Sequence, residues 1–207
     1  MTTAARLLHP RSVLTVAGAC FVALTAAVVV LGSLPADVAV RDALLAWASP
    51  GLVAVMRVVN RAGDWRLLVP GMVLLFVVFR RAREHWWLWA AVMVLAPLLE
   101  WALKQLVGRT RPEDVSLGFP SGHSTAAATF FGAVMLLAGS LPPRACAWVR
   151  GLAVVMIVLV GVARVMLRAH WPSDVLAGIA LGLALAAAAG LLAARTSTSS
   201  APPSGRP

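Results

Sequence analysis

Charge is scarce in this sequence. Of 207 residues, 13% are charged and 60% are hydrophobic. A soluble domain usually carries about 25% charged residues. A water-solvated globule is therefore excluded, and apolar runs long enough to cross a bilayer account for the composition. Cysteine is scarce too. Cys20 lies in the first apolar run and Cys146 in a short basic loop. Two thiols so dispersed support neither a disulfide framework nor a cysteine-ligated metal site. Acidic residues number 8 against 18 Lys and Arg, for a net charge of +10. That excess raises the question of nucleic acid. The cations, however, come in short groups between apolar runs: Arg6 with Arg11, Arg80-Arg81-Arg83, and Arg144 with Arg150. No continuous basic face results, so no nucleic-acid partner is expected. These groups read instead as loop anchors beside anionic lipid headgroups.

What is present is a series of apolar segments in a chain of single-domain length. Residues 13–34 form the first span. This run exceeds the usual ~7–15 apolar residues of a secretory signal, and no clean small-x-small cleavage site follows, so it reads as uncleaved. Residues 35–64 mix apolar side chains with Arg41, Asp42, Arg57 and Arg61, the pattern of short interfacial helices, broken at Ser49-Pro50-Gly51. A short second span, 67–79, is extended by Arg66 and Arg80 snorkelling to the headgroups. Trp86, Trp87 and Trp89 open the third as an aromatic belt, and it runs to about 107. The fourth covers 121–141 and stops at Pro142-Pro143; the fifth is 152–163 and the sixth 175–194. The expected fold is all-α, a six-span transmembrane bundle with short interfacial helices between spans one and two. It occupies 1–195 and is followed by a disordered cytoplasmic tail, 196–207, rich in Ser, Thr, Pro and Gly. An even number of spans puts both termini on one side. With those termini cytoplasmic, Lys and Arg divide equally between the two faces, so the positive-inside rule does not decide the orientation.

Ionisable residues at the ends of membrane helices are costly and are functional candidates by default. Here they gather at three places that alternating spans bring to one face. The first is Lys104-x6-Arg111-Pro112. Lys104 sits in the last turn of span three, Gly108 can end that helix, and Pro112 forbids its continuation. Two cations aimed at one point suit a phosphate, Arg as a planar fork and Lys as a point charge. Simple interfacial snorkelling is the other reading. Glu100, four residues before Lys104, is read as its structural ion-pair partner. The second place is Pro120-Ser121-Gly122-His123, where a helix begins. Its free N–H groups and the Ser hydroxyl make an anion site, with His123 beside it; an ordinary capped helix start is the alternative. The third is Arg164-x5-His170-x3-Asp174. His170 and Asp174, four apart, share a face if span six begins near them. A carboxylate there fixes the imidazole tautomer and stabilises its positive charge, though a purely structural pair has the same pattern.

In this order the three motifs resemble the signature motifs of the type 2 phosphatidic acid phosphatase superfamily. The motifs cover residues 104–174, and the six-span layout extends the likeness to about 195. The resemblance implies a membrane lipid phosphatase working through a phosphohistidine. His170 would be the nucleophile, Asp174 would hold its ring, and His123 would protonate the leaving oxygen and then activate water. Lys104, Arg111, Arg164, the Ser121 hydroxyl and the Gly122 N–H would bind the phosphoryl oxygens. One position departs: Ala163 stands where the family usually has a Ser that supports the phosphate. No cofactor and no metal are expected, since three fixed cations can stabilise a phosphoryl group and no paired carboxylates with ligand spacing lie nearby. The implied partner is a lipid phosphate in the bilayer, with phosphatidate, phosphatidylglycerol phosphate and undecaprenyl diphosphate as candidates. The active site would lie on the extracytoplasmic face of the cell membrane in a multi-pass protein with both termini cytoplasmic. Three rivals stand beside this reading. Vanadium haloperoxidases resemble the same superfamily but are soluble. A lipid phosphotransferase would pass the phosphate to an alcohol. A transporter or scaffold that kept the fold would have lost a key residue.

Overall fold

The structure, a computed structural model, describes residues 9–199, with the side chains of 197–199 left aside. Of the described residues 84% are helical and none lies in a named strand. The order is α1 (Pro10–Leu31), α2 (Pro35–Ala46), α3 (Pro50–Asn60), a 3-10 turn (Arg61–Gly63), α4 (Trp65–Val78), α5 (Arg80–Glu84), α6 (Trp86–Val107), α7 (Gly122–Leu137), α8 (Pro143–Met166) and α9 (Pro172–Ser199). Five of these helices open on proline, whose missing N–H costs nothing at a first helical position. α1 and α6 end on Gly32 (φ 69°) and Gly108 (φ 66°), backbone that favours glycine.

Among the described residues, five helices are long and apolar enough to cross a membrane: α1, α6, α7 with its 3-10 extension, α8 and α9. α4 is shorter, 14 residues, or about 21 Å at helical rise. It nevertheless joins the two ends of the bundle. Gly63, just before it, packs on His123, and α5, just after it, supplies Arg81 and Glu84 to a cavity shared with Pro10 and Ala194. Arg66 and Arg80 at its ends can reach outward where the helix is too short. α2 and α3 are bent by 118° relative to each other. They lie across the end of α8, where Met56 packs with Ala163 and Met166. The starts of α1 and α6 and the end of α9 meet at the opposite face, around Pro10, His85 and Ala194.

Two expectations need correction. α8 begins at Pro143, nine residues before the apolar run at 152, because a helix tolerates Arg144 and Arg150 where a hydropathy window does not. Cys146 therefore lies in the second turn of α8 and not in a loop. α9 continues to Ser199, past Arg195, and only residues 200–207 of the expected tail lie outside the described residues.

The centre of the bundle is α7 against α9, and small residues let them touch. A Cβ on Gly178 would stand 2.6 Å from the Ser121 carbonyl oxygen, and one on Gly182 would collide with the Thr125 carbonyl. Gly178, Gly182 and Ala186, four apart, form the kind of small-residue stripe that drives helix packing where lipid removes the hydrophobic effect. Farther along, Leu68, Met72, Trp89, Phe130 and Leu137 fill the space between α4, α6 and α7.

Candidate active site

The close α7–α9 contact fixes where the three motifs meet. Ser121 is the N-cap of α7 and fully buried, and its N–H donates to the Asp174 carbonyl oxygen at 2.9 Å. Its hydroxyl does not cap its own helix but accepts from Ser124 Oγ at 3.0 Å. The first N–H groups of α7 thus stay open to an anion. Gly122 leaves room on that turn, where a Cβ would stand 2.8 Å from Glu100 Oε1. Glu100 forms an ion pair with Lys104, the pairing read from their spacing. Arg111 lies in the loop after α6, and its Nε donates to the Leu117 carbonyl at 3.4 Å. A Cβ on Gly118 would touch both Asp174 Oδ2 (3.0 Å) and Arg111 Cγ (3.3 Å), so the first motif abuts the third through a glycine. Arg164, 9% exposed, donates to Asn60 Oδ1 at 2.9 Å.

The two histidines face this cluster from different elements. His123 stands in the first turn of α7, within electrostatic reach of Arg164, Asp64, His170 and Lys104. His170 lies in the turn between α8 and α9, 1% exposed, with Nδ1 3.6 Å from Asp174 Oδ2, just beyond hydrogen-bond reach. Arg168, at a left-handed φ of 58°, reverses the chain just before it. Burial pushes the His170 imidazole down to about 4; the Asp174 carboxylate pulls it up, and the Arg164 and Arg111 charges push it further down. The ring is therefore neutral near pH 7. All eight residues expected from the sequence gather around the start of α7.

Five residues outside that set also shape the site. Arg109 donates from Nη1 to Asp174 Oδ1 (2.7 Å) and Ser173 Oγ (2.6 Å), and from Nη2 to Asp37 Oδ2 (2.6 Å). Asp37, on α2, accepts from the Ser173 N–H and hydroxyl, each at 2.7 Å. Asp174 Oδ2 is held by the Trp171 N–H at 3.0 Å. Asp37 and Asp174 are 1% and 0% exposed, and among the described residues this one guanidinium is the permanent cation paired with both carboxylates. Asn60 is the fifth, through its bond to Arg164. Arg109 had been visible only as one more loop cation inside the first motif. A signal was available for Asp37, since a carboxylate in an apolar stretch needs a cation.

With the geometry in place, comparison with known proteins gives the class. The family model of the PAP2 superfamily matches residues 85–196. Phosphatidylglycerophosphatase B of Bacillus subtilis is 33% identical over 176 residues, 80% of this chain and 87% of the relative. The decaprenylphosphoryl-5-phosphoribose phosphatase of Mycobacterium tuberculosis is 30% identical over 75% of this chain and 88% of its own length. The crystal structure of a transmembrane PAP2-type phosphatidylglycerolphosphate phosphatase from Bacillus subtilis superposes with a TM-score of 0.75 at 30% identity. That match covers 93% of this chain and 98% of the other. The chain belongs to the PAP2 superfamily. It is a multi-pass membrane protein and a phosphoric ester hydrolase, and its relatives are membrane lipid phosphatases.

Proposed function

We propose that the chain hydrolyses the phosphate monoester or diphosphate of a membrane lipid at the extracytoplasmic face of the cell membrane, through a phosphohistidine on His170. The observation that carries this reading is the buried, neutral His170, whose Nδ1 edge faces Asp174, the residue whose carbonyl accepts from the Ser121 N–H at the start of α7. With its proton on Nδ1, the imidazole presents a lone pair on Nε2. That nitrogen attacks phosphorus, the bond from phosphorus to the lipid oxygen breaks, and protonated His123 gives its proton to the departing oxygen. Water then attacks phosphorus and gives a proton to His123, the bond from phosphorus to Nε2 breaks to restore the His170 lone pair, and inorganic phosphate leaves. Lys104, Arg111, Arg164, the Ser121 hydroxyl and the Gly122 N–H hold the phosphoryl oxygens throughout. Phosphoryl transfer is mainly positioning and charge stabilisation, work that three fixed cations can perform without a metal ion.

Substrate choice follows from where the site lies, at one end of the helical bundle, which reaches headgroups whose tails stay in the bilayer. Undecaprenyl diphosphate, phosphatidate and phosphatidylglycerol phosphate form the first panel. The test is phosphate release from each lipid by purified protein in detergent with excess chelator, coupled to trapping of the labelled phosphoenzyme. Turnover of at least one lipid with label on His170 is expected. Label on another residue, or a folded protein inert to the whole panel, overturns the proposal.

A further inference from the structure

Glu100 shares its neighbours with the phosphoryl group of the mechanism proposed above. On α6 it pairs with the Lys104 ammonium, and the two side chains are only 15% and 16% exposed. Across the helix interface it lies against the first turn of α7, where a Cβ on Gly122 would meet Oε1 at 2.8 Å and Cδ at 3.0 Å. The N–H groups of that turn have no partner within the helix and attract an anion. One carboxylate thus sits against two of the groups assigned above to the phosphoryl oxygens, Lys104 and the start of α7.

We propose that Glu100 is a specificity-determining residue that competes with phosphate for the site. Its carboxylate borders the anion position, leaving the N–H groups of α7 open when the site is empty, and it presses its charge on the phosphoryl group when the site is filled. The substrate binds because its ester anchors it in the membrane; free inorganic phosphate, with no such anchor, is expelled. The inference rests on the phosphatase reading and gives Glu100 a role that an ion-pair partner of Lys104 would lack. The two roles also make opposite predictions. If Glu100 only steadies Lys104, removing its charge loosens the ammonium and weakens anion binding. If it competes, removing its charge strengthens anion binding.

The experiment compares wild type, Glu100→Gln and Glu100→Asp, each purified at full length, for the inhibition constant of inorganic phosphate and for kcat and KM on a lipid phosphate. Glu100→Gln should bind inorganic phosphate at least about tenfold more tightly, a modest effect for one like charge at contact distance in a partly screened site. KM should fall with it, and kcat should not rise. Glu100→Asp keeps the charge and the pairing with Lys104 but draws the carboxylate back from Gly122. It should shift the constant in the same direction by a smaller factor, and it decides the matter if the Gln variant is unstable. An inhibition constant unchanged or raised in the variants, with wild type active, overturns the inference alone. A folded wild type that hydrolyses no lipid phosphate overturns the phosphatase reading instead.

Discussion

Arg109→Met would remove the only cation among the described residues that two buried carboxylates share. Asp37 and Asp174 are 1% and 0% exposed, and Arg109 bonds them at 2.6 and 2.7 Å. Breaking a buried pair by deleting one partner costs about 3–5 kcal/mol, because the remaining charge is left without compensation. Here one substitution strands two charges, so the upper end applies. That is a large part of the roughly 5–15 kcal/mol that holds a typical domain together. Arg109→Lys keeps a charge but cannot fork to both carboxylates; it should lose roughly one charge-assisted hydrogen bond, about 1.5–3 kcal/mol. Activity should respond separately. Without Arg109 on Oδ1, the Asp174 carboxylate keeps only the Trp171 N–H on Oδ2, the oxygen that faces His170. A misplaced carboxylate should lower kcat about 10²-fold, the scale of a 1 Å misplacement, with KM little changed. Thermal unfolding in detergent and steady-state kinetics on a lipid phosphate would measure both. The double variant Asp37→Asn, Arg109→Met relieves one stranded charge, so stability should partly return while kcat stays low. An Arg109→Met protein with wild-type melting and turnover would refute the clamp. Recovery of kcat in the double variant would refute its action on Asp174.

Because burial lowers the His170 imidazole from 6.5 to about 4, and the proposed mechanism needs its neutral form to attack, the acid limb of kcat/KM should fall near pH 4 and stay there for two substrates of different phosphate pKa. The same shift has a stability sign: the unfolded His takes up its proton first, so this contribution to stability is present above pH 6.5 and is lost as pH falls through about 4. A limb near 6.5 would contradict the burial argument. His123→Ala should slow turnover about 10²–10⁴-fold on a lipid ester but less on p-nitrophenyl phosphate, whose leaving group needs little protonation; equal losses on both would remove its role as acid. Activity should persist in excess chelator and be inhibited by vanadate, and loss on chelation restored by Mg²⁺ would sink the metal-free assignment. A reporter fused at Pro207 should behave as cytoplasmic, and a periplasmic signal would reverse the orientation.

The site was readable from sequence where its chemistry is local, and unreadable where it depends on tertiary contact. Ser121, Gly122 and His123 are consecutive at one helix start, and His170 and Asp174 are four residues apart, so spacing alone conveys what they can do together. Arg109 and Asp37 are separated by 72 residues, and nothing in either segment names the other. The segment holding Asp37 reads as an interfacial helix, and it is helical, but its position against Arg109 and Ser173 makes it part of the candidate site. The same holds for Asn60, which meets Arg164 across 104 residues. Helix boundaries failed for a different reason. Hydropathy reports where lipid is tolerated, whereas hydrogen bonding decides where a helix runs, so α8 extends back through Arg150 and Arg144 to Pro143. The close approach of α7 and α9 lies between these cases. Gly178, Gly182 and Ala186 are legible as a stripe, but a stripe becomes a contact only when another helix presents backbone to it. α7 does so at Ser121 and Thr125, the turn where the anion site begins. The packing that holds the bundle together therefore also brings the Ser121 N–H to the Asp174 carbonyl, and a side chain at Gly178 large enough to part those helices should disable the site before it unfolds the protein.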